Sequence, residues 1–275
     1  MLQDESEPTV ATAPVDATPG EIVVAVVEEH PSIFLLTAKF LLDCHVVNMA
    51  ERALAHELVA RVRGPRVLYL ELLAQLYMKQ KKFAEALQCL EDALVLKHAN
   101  PAAWALKGHL YYEQNEFGLA KEAYERCSAY CEDAPNIHAI YLRLATIYLE
   151  KDLRYEAAKE TFLKLCKRSP SCVTWLGAGV ACYRLNALLD AEQALNEANI
   201  LDNRNAEVWS YLSLVCLRQK RHLEGEQCYK YAVKLGLANQ ALKEEIIQTM
   251  VDTDFDMSVL WAVLREREKN SCGMI

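Results

Sequence analysis

The sequence predicts an all-α protein: a right-handed superhelical solenoid of about six helical hairpins with C-terminal capping helices. Three observations predict it. Trp175 recurs as Trp209 after 34 residues. Small and bulky neighbours recur with the tryptophan, and apolar stripes at helical spacing continue beyond the last repeat. The matched positions are Trp175, Gly179, Ala191, Leu195 and Ala198, which return as Trp209, Ser213, Gly225, Tyr229 and Ala232.

This period and this order of residues are the signature of the tetratricopeptide repeat, in which each unit is two antiparallel helices. Short polar turns such as Lys81-Lys82 and Lys220-Arg221 are expected to join the two helices. Small residues such as Gly108, Gly179 and Ala191 are expected where two helix backbones approach closely.

Six such units are predicted between residues 31 and 239. Each has a bulky residue followed four places later by a small one. The first unit is degenerate, and the fourth has extra residues before it and one more in its internal loop. The paired positions are Phe34 and Ala38, Leu70 and Ala74, Trp104 and Gly108, Tyr141 and Ala145, Trp175 and Gly179, and Trp209 and Ser213.

The segments outside the array have different compositions. Residues 1–20 are acidic and rich in proline, which predicts a disordered leader. Residues 21–30 contain a short apolar segment from Ile22 to Val27, for which a helix and a strand are both open. Apolar stripes predict C-terminal capping helices over residues 240–270, followed by a tail at 271–275.

Charge and cysteine content limit the class of protein. The formal net charge is −8, and seven acidic residues without any Lys or Arg lie in the first 30 residues. The rest is nearly neutral, so the sequence predicts no nucleic-acid partner. Ten cysteines fall mostly at packed positions, as Cys182 and Cys216 do where other units have tyrosine. With no signal peptide and no apolar run near 20 residues, we expect a reduced, soluble, intracellular protein without a membrane partner.

The residues that could form a metal, calcium or lipidation site are better explained by structural roles. Cys127, Cys131 and His138 could face one another, but no C-x-x-C pair supports a zinc site. The acidic run Asp252 to Asp256 lacks the glycine and the twelfth-position acid of a calcium loop. Cys272 lacks the context of a prenylation signal. Because no catalytic or nucleotide-binding motif occurs either, the sequence predicts no enzyme, no cofactor and no metal.

The concave face, lined by the first helix of each unit, is the predicted partner-binding surface. Its candidate residues are Leu142, Thr146, Leu149, Val180, Tyr183, Leu214, Leu217 and Arg218. The positions that would clamp a peptide carboxylate include Glu71, Gln75, Ala105 and His109, so no such clamp is expected. Two occupants stay open: an apolar or helical segment of a partner protein, and the chain's own Ile22 to Val27 segment.

The run from Tyr141 to Cys216 resembles the C-terminal tetratricopeptide region of a cilia- and flagella-associated protein of the axoneme. It contains LATIYLEKDLRYEAAKETF and WLGAGVACYRLNALLDAEQALNEANILDNRNAEVW. The resemblance covers the array from about residue 31 onward. Members of that family are longer, with β-rich N-terminal domains, which leaves a fragment and a short isoform both open. The resemblance implies localisation in the cilium or flagellum axoneme and partners among other axonemal subunits.

A non-enzymatic protein-protein interaction scaffold that supports ciliary and flagellar motility and assembly is therefore the predicted function. Two alternatives differ in class. One is a cytosolic adaptor or co-chaperone that binds short peptide segments. The other is the regulatory repeat domain of a larger enzyme. The repeat pattern specifies the fold and leaves the partner and the oligomeric state open.

Overall fold

The computed structural model describes residues 31–60, 66–130 and 137–253. Within these ranges the chain forms thirteen α-helices and no strand. The helices are α1 (Ile33–Asp43), α2 (Val47–Ala60), α3 (Val67–Lys79), α4 (Phe83–Leu96), α5 (Pro101–Glu113), α6 (Phe117–Tyr130), α7 (Ile137–Glu150), α8 (Tyr155–Arg168), α9 (Cys172–Arg184), α10 (Leu188–Leu201), α11 (Ala206–Arg218), α12 (His222–Lys234) and α13 (Gln240–Asp252).

Helices α1 to α12 pair into six antiparallel hairpins, and each hairpin packs on the next, as in a solenoid. The prediction of an all-α tetratricopeptide array of about six hairpins is confirmed. Helix α13 falls in the region predicted to cap the array. The predicted leader (1–20), the apolar segment (21–30) and the end of the chain from residue 254 lie outside the described residues.

Every hairpin turn contains one residue with a left-handed backbone. These residues are His45, Lys81, Asn115, Leu153, Asn186 and Lys220, with φ between 53° and 63°. Backbone amides close these turns onto the preceding helix: Asn186 donates to the Tyr183 carbonyl at 3.0 Å, and in the turn that holds Leu153 it is Arg154 that donates, to the Tyr148 carbonyl at 2.9 Å. Leu153 is the unusual member, because a bulky side chain rarely adopts this conformation. The turn that holds it, between α7 and α8, is one residue longer than the others, as predicted.

The small residues of the repeat lie where two helices approach closely, as predicted. A Cβ added to Gly108 would lie 2.5 Å from the Tyr124 ring, and one added to Gly179 would lie 2.7 Å from Leu195. Both neighbours belong to the second helix of the same hairpin, so the glycines set the spacing within each hairpin.

A polar network joins α5, α6 and α7 inside the array. His109 Nδ1 lies 2.7 Å from the Tyr124 hydroxyl and 2.8 Å from Arg143 Nη1. Burial and the adjacent Arg143 charge lower the pKa of His109 to about 4, so the ring is neutral at pH 7 and accepts the Arg143 hydrogen bond. This network links the third hairpin to the fourth.

Buried thiols are distributed along the array. Hairpins two to six each contain at least one, and the predicted packing of Cys182 and Cys216 is confirmed. The buried cysteines are Cys89, Cys127, Cys166, Cys182 and Cys216. The Cys127 thiol lies 3.2 Å from the Pro101 carbonyl, and its predicted companion Cys131 lies outside the described residues. In the part of the chain that is described, no group of three or more metal-binding side chains occurs.

Candidate protein-binding groove

A groove of about 480 Å³ crosses the first helices of hairpins four, five and six. Thr146 and Leu149 of α7, Leu176 and Val180 of α9, and Tyr211 of α11 line it. Its volume is within the range of natural ligand pockets. It therefore has room for a few side chains of a partner segment.

The groove is apolar because of how α7, α8 and α9 meet. The Phe162 ring of α8 fills the space beside Gly177, where an added Cβ would lie 2.4 Å from the ring. Leu153, 60% exposed in its left-handed turn, forms one edge. Val173, 56% exposed at the start of α9, also lines the groove. These accessible apolar side chains are ready to contact another molecule.

Helix caps fix the ends of the helices that line the groove. Ser171 and Thr174 form a reciprocal capping box at the start of α9. The Asn205 side chain accepts from the Glu207 amide at the start of α11, which places Glu207 at the rim. Asn239, the N-cap of α13, accepts from Leu242 and also lines the groove. The groove is thus built on fixed helix termini.

An ion pair closes one end of the groove. Arg184 of α9 donates two hydrogen bonds to the Glu245 carboxylate of α13, at 2.5 and 2.8 Å. Both side chains are about one third accessible or less, and the paired carboxylate raises the pKa of Arg184. Helix α13 thereby neutralises the only arginine that lines the groove within the described chain.

The remaining charges at the rim are negative. Glu150 at the end of α7 and Glu207 at the start of α11 are exposed and line the groove. Neither forms an ion pair with another residue of the described ranges. With Arg184 already paired, the groove presents an apolar floor and an acidic rim.

Three of the predicted site residues line the groove and two more lie near it. Thr146, Leu149 and Val180 are lining residues, although Val180 is only 8% exposed. Leu142 lies one turn earlier on α7, where its carbonyl accepts from the Thr146 hydroxyl at 2.9 Å. Arg218 is exposed, but its guanidinium lies over the Tyr183 ring, 4.8 Å from the ring centroid, and does not reach the groove.

The other three predicted residues belong to the core, which corrects their expected placement on an accessible face. Leu214 and Leu217 have no exposed surface, and Tyr183 is 1% exposed. Leu217 packs beside Gly225 of α12. Helix α13 packs against α11, and its Ile246 belongs to the same buried cluster. The repeat-equivalent positions are therefore covered in the sixth hairpin while they stay open in the fourth.

Sequence reasoning missed Leu176, Tyr211, Arg184, Leu153 and the acidic rim. Leu176 precedes Val180 by four residues, so the helical period could have placed both on one face. Tyr211 follows Gly177 by 34 residues, and both residues line the groove, so the repeat period could have placed them on the same face of the array. No sequence signal identifies Leu153 or Arg184. The role of Leu153 depends on a left-handed turn, and that of Arg184 depends on its contact with Glu245 of α13.

The helical hairpins, their left-handed turns and a groove across first helices define a tetratricopeptide-repeat protein. The family model of the cilia and flagella-associated protein 70 C-terminal domain matches residues 47–250. The chain belongs to this family, which confirms the resemblance. It is 49% identical over 220 residues to cilia- and flagella-associated protein 70 of Homo sapiens, across 80% of this chain and 20% of the relative. It is 58% identical over 132 residues to the protein of that name from Macaca fascicularis, across 48% of this chain and 13% of the relative.

The chain thus spans about one fifth of the length of the human relative. The names of both relatives support localisation in the cilium or flagellum. Solved structures support the fold. YrrB has a TM-score of 0.60 at 13% identity, covering 65% of this chain and 91% of its own. MamA from Desulfovibrio magneticus RS-1 has a TM-score of 0.55 at 16% identity, covering 64% and 98%.

Helices of the described ranges are too short or too polar to cross a membrane.

Proposed function

We propose that this chain is a non-enzymatic scaffold of the ciliary or flagellar axoneme, and that its groove binds an apolar segment of another axonemal protein. The groove is the observation that carries the proposal. Membership of the cilia and flagella-associated protein 70 family supports the setting. The structural neighbour YrrB is a tetratricopeptide-repeat protein with an unusual peptide-binding site, which supports the use of such a surface for peptides.

The chemistry of the groove specifies the segment that it fits. Leu149, Leu153, Leu176 and Val180 favour apolar side chains on one face of a helix. Glu150 and Glu207 favour a lysine or arginine beside that face. Because Arg184 is already paired with Glu245, an acidic terminus of a partner has no free cation there. We therefore propose that the partner segment is an amphipathic helix with a basic flank. Its binding would support motility and assembly of the axoneme.

A groove variant tests this proposal in ciliated cells. Leu149→Glu with Val173→Glu places two charges among accessible apolar residues, whereas Leu189→Glu places one on α10, at a 73% exposed residue that does not line the groove. We expect the double variant to leave the axonemal fraction while the Leu189 variant stays. Circular dichroism and melting of the purified variants should match those of the unmodified chain. Retention of the folded double variant in the axoneme would reject the groove.

Charge reversal tests the basic flank separately. Glu150→Lys with Glu207→Lys should reduce axonemal retention, because like charges would then face the partner. Glu160→Lys on α8 is the control, since Glu160 is exposed and does not line the groove. Equal retention of all three proteins would show that the rim charges do not select the partner.

A further inference from the structure

Helix α1 presents an apolar face that nothing in the described chain covers. Ile33, Leu36 and Phe40 are 72%, 52% and 65% exposed. They are spaced three and four residues apart, so they form one stripe along the helix. The buried residues of α1 are Leu35, Ala38 and Leu42, which face the opposite side.

The position of α1 explains why this face is open. An interior first helix such as α3 contacts helices on both sides, namely α1 and α2 before it and α4 and α5 after it. Helix α1 contacts α2 and α3. The exposed stripe of α1 therefore lies on the side that, in an interior first helix, packs against the preceding hairpin. Terminal repeats usually need a capping element on that side.

We propose that the chain's own apolar segment, Ile22 to Val27, docks on the Ile33, Leu36 and Phe40 stripe of α1. The segment has five aliphatic residues in six positions. Six residues span about 8 Å as a helix and about 20 Å as a strand. The stripe is about 10 Å long at 1.5 Å per residue, so either form can cover it.

The sequence between the segment and α1 permits the chain to reverse direction. Residues 28–32 are polar or proline, and five residues are enough to join two antiparallel elements. Pro31 disfavours a helical conformation at His30, so a continuous helix from the segment into α1 is disfavoured. Ser32 caps α1 and donates a hydrogen bond to Glu57 of α2, which fixes the point where the segment must turn.

The length of the tether favours α1 over the groove. Five residues separate Val27 from Ile33, so the Cα atoms of these two residues are at most about 20 Å apart when the chain is fully extended. The groove begins at α7, three first helices beyond α1, and neighbouring helix axes are about 8 to 10 Å apart. The segment would therefore have to cross about 25 to 30 Å before it could lie in the groove. A short tether also gives an effective concentration in the millimolar range, which favours the chain's own segment over a second copy.

Photo-crosslinking in the full chain tests the docking. Benzoylphenylalanine in place of Leu36 should form a link within the same chain to residues 21–30, mapped by mass spectrometry. The same group in place of Gln248, on the polar outer face of α13, should give no link to those residues. Val23→Asp with Val24→Asp and Val26→Asp should abolish the Leu36 link.

A matched triple variant controls for the added charge: Ala11→Asp with Ala13→Asp and Val15→Asp should retain the link. Crosslinked dimers that increase with protein concentration would overturn the proposal and assign the stripe to a second copy. The absence of any link from position 36, equal links from 36 and 248, or a link that persists in the Val23, Val24 and Val26 variant would also overturn it. The proposal is independent of the groove, so its failure would leave the proposed function standing.

Discussion

The two ends of the array present different surfaces. At the N-terminal end, α1 exposes Leu36 and Phe40, whereas at the C-terminal end α13 exposes Gln240, Glu244 and Gln248. Helix α13 buries its apolar side against α11 and directs polar residues outward, as a capping helix does. Helix α1 has the apolar composition of an interior helix, but no described helix packs against its outer side. Within the described residues, the outer face of α13 is mainly polar, with Val251 54% exposed, whereas the outer face of α1 is apolar.

The capped end also shapes the groove. Glu245 of α13 holds Arg184, and the packing of α13 on α11 accompanies the burial of Leu214 and Leu217. In the proposed binding mode, we expect α13 to limit how far along the array a partner can reach. Four measurements test whether the two ends differ as described, in order of decreasing effect.

Removing the buried anchor of α13 should have the largest effect. Ile246 has no exposed surface, so Ile246→Ala should lower the free energy of unfolding by about 2 to 5 kcal/mol through lost burial and a cavity. Leu223→Ala, at a 75% exposed position of α12, should change it by less than about 0.5 kcal/mol. Urea unfolding followed by circular dichroism measures both. Equal effects would show that α13 does not cap the array.

Acid should lower the stability of the N-terminal half, where the partly buried His109 lies. The pKa of His109 is lowered to about 4, below its ordinary value of 6.5. The unfolded chain therefore binds more protons between these values, and stability falls as the pH falls from 6.5 to 4, by about 3 kcal/mol.

In His109→Gln, which cannot titrate but can still accept the Arg143 hydrogen bond, this part of the pH dependence should disappear. Urea unfolding at pH 7 and pH 4.5 measures the difference. An unchanged acid sensitivity in the variant would assign it to other groups.

Breaking the ion pair at the capped end should have a smaller effect. Glu245→Gln removes the charge that pairs with Arg184, and for a partly exposed pair we expect a loss of about 1 kcal/mol. Hydrogen exchange of α13 should become faster. Glu244→Gln, on the outer face of the same helix, should leave exchange unchanged. The cap would be independent of the ion pair if the two variants behaved alike.

A turn between the two ends should show the smallest effect, with the opposite sign. Leu153 has φ 53°, so Leu153→Gly should relieve strain and raise stability by about 0.5 kcal/mol after the entropy cost of glycine. The variant should also weaken partner retention, because Leu153 lines the groove. Asn186→Gly, at an equivalent turn, should change neither much, since asparagine tolerates this conformation. Melting and axonemal retention measure these effects, and a lower melting temperature for Leu153→Gly would contradict the strain.

The sequence predicted features that depend on neighbours within a repeat. The contact of Gly179 with Leu195 follows from the 34-residue period, as does the pairing of helices into hairpins. Sequence reasoning failed where a distant element intervenes. Leu214 is equivalent to Thr146 by spacing, two repeats later, yet Leu214 is buried in the cluster that α13 completes, while Thr146 is partly exposed and lines the groove. The repeat pattern has no information about how the array ends.

The buried cysteines have a practical consequence for measuring local unfolding. Each of hairpins two to six contains at least one buried thiol, whereas Cys44 in the first hairpin is exposed. An alkylating reagent should therefore modify Cys44 at once and each buried thiol only when its own hairpin opens. Mass spectrometry of the labelled peptides would then record the opening of five consecutive hairpins in the unmodified chain. The alkylation rates of these thiols would therefore show in which order the hairpins unfold along the array.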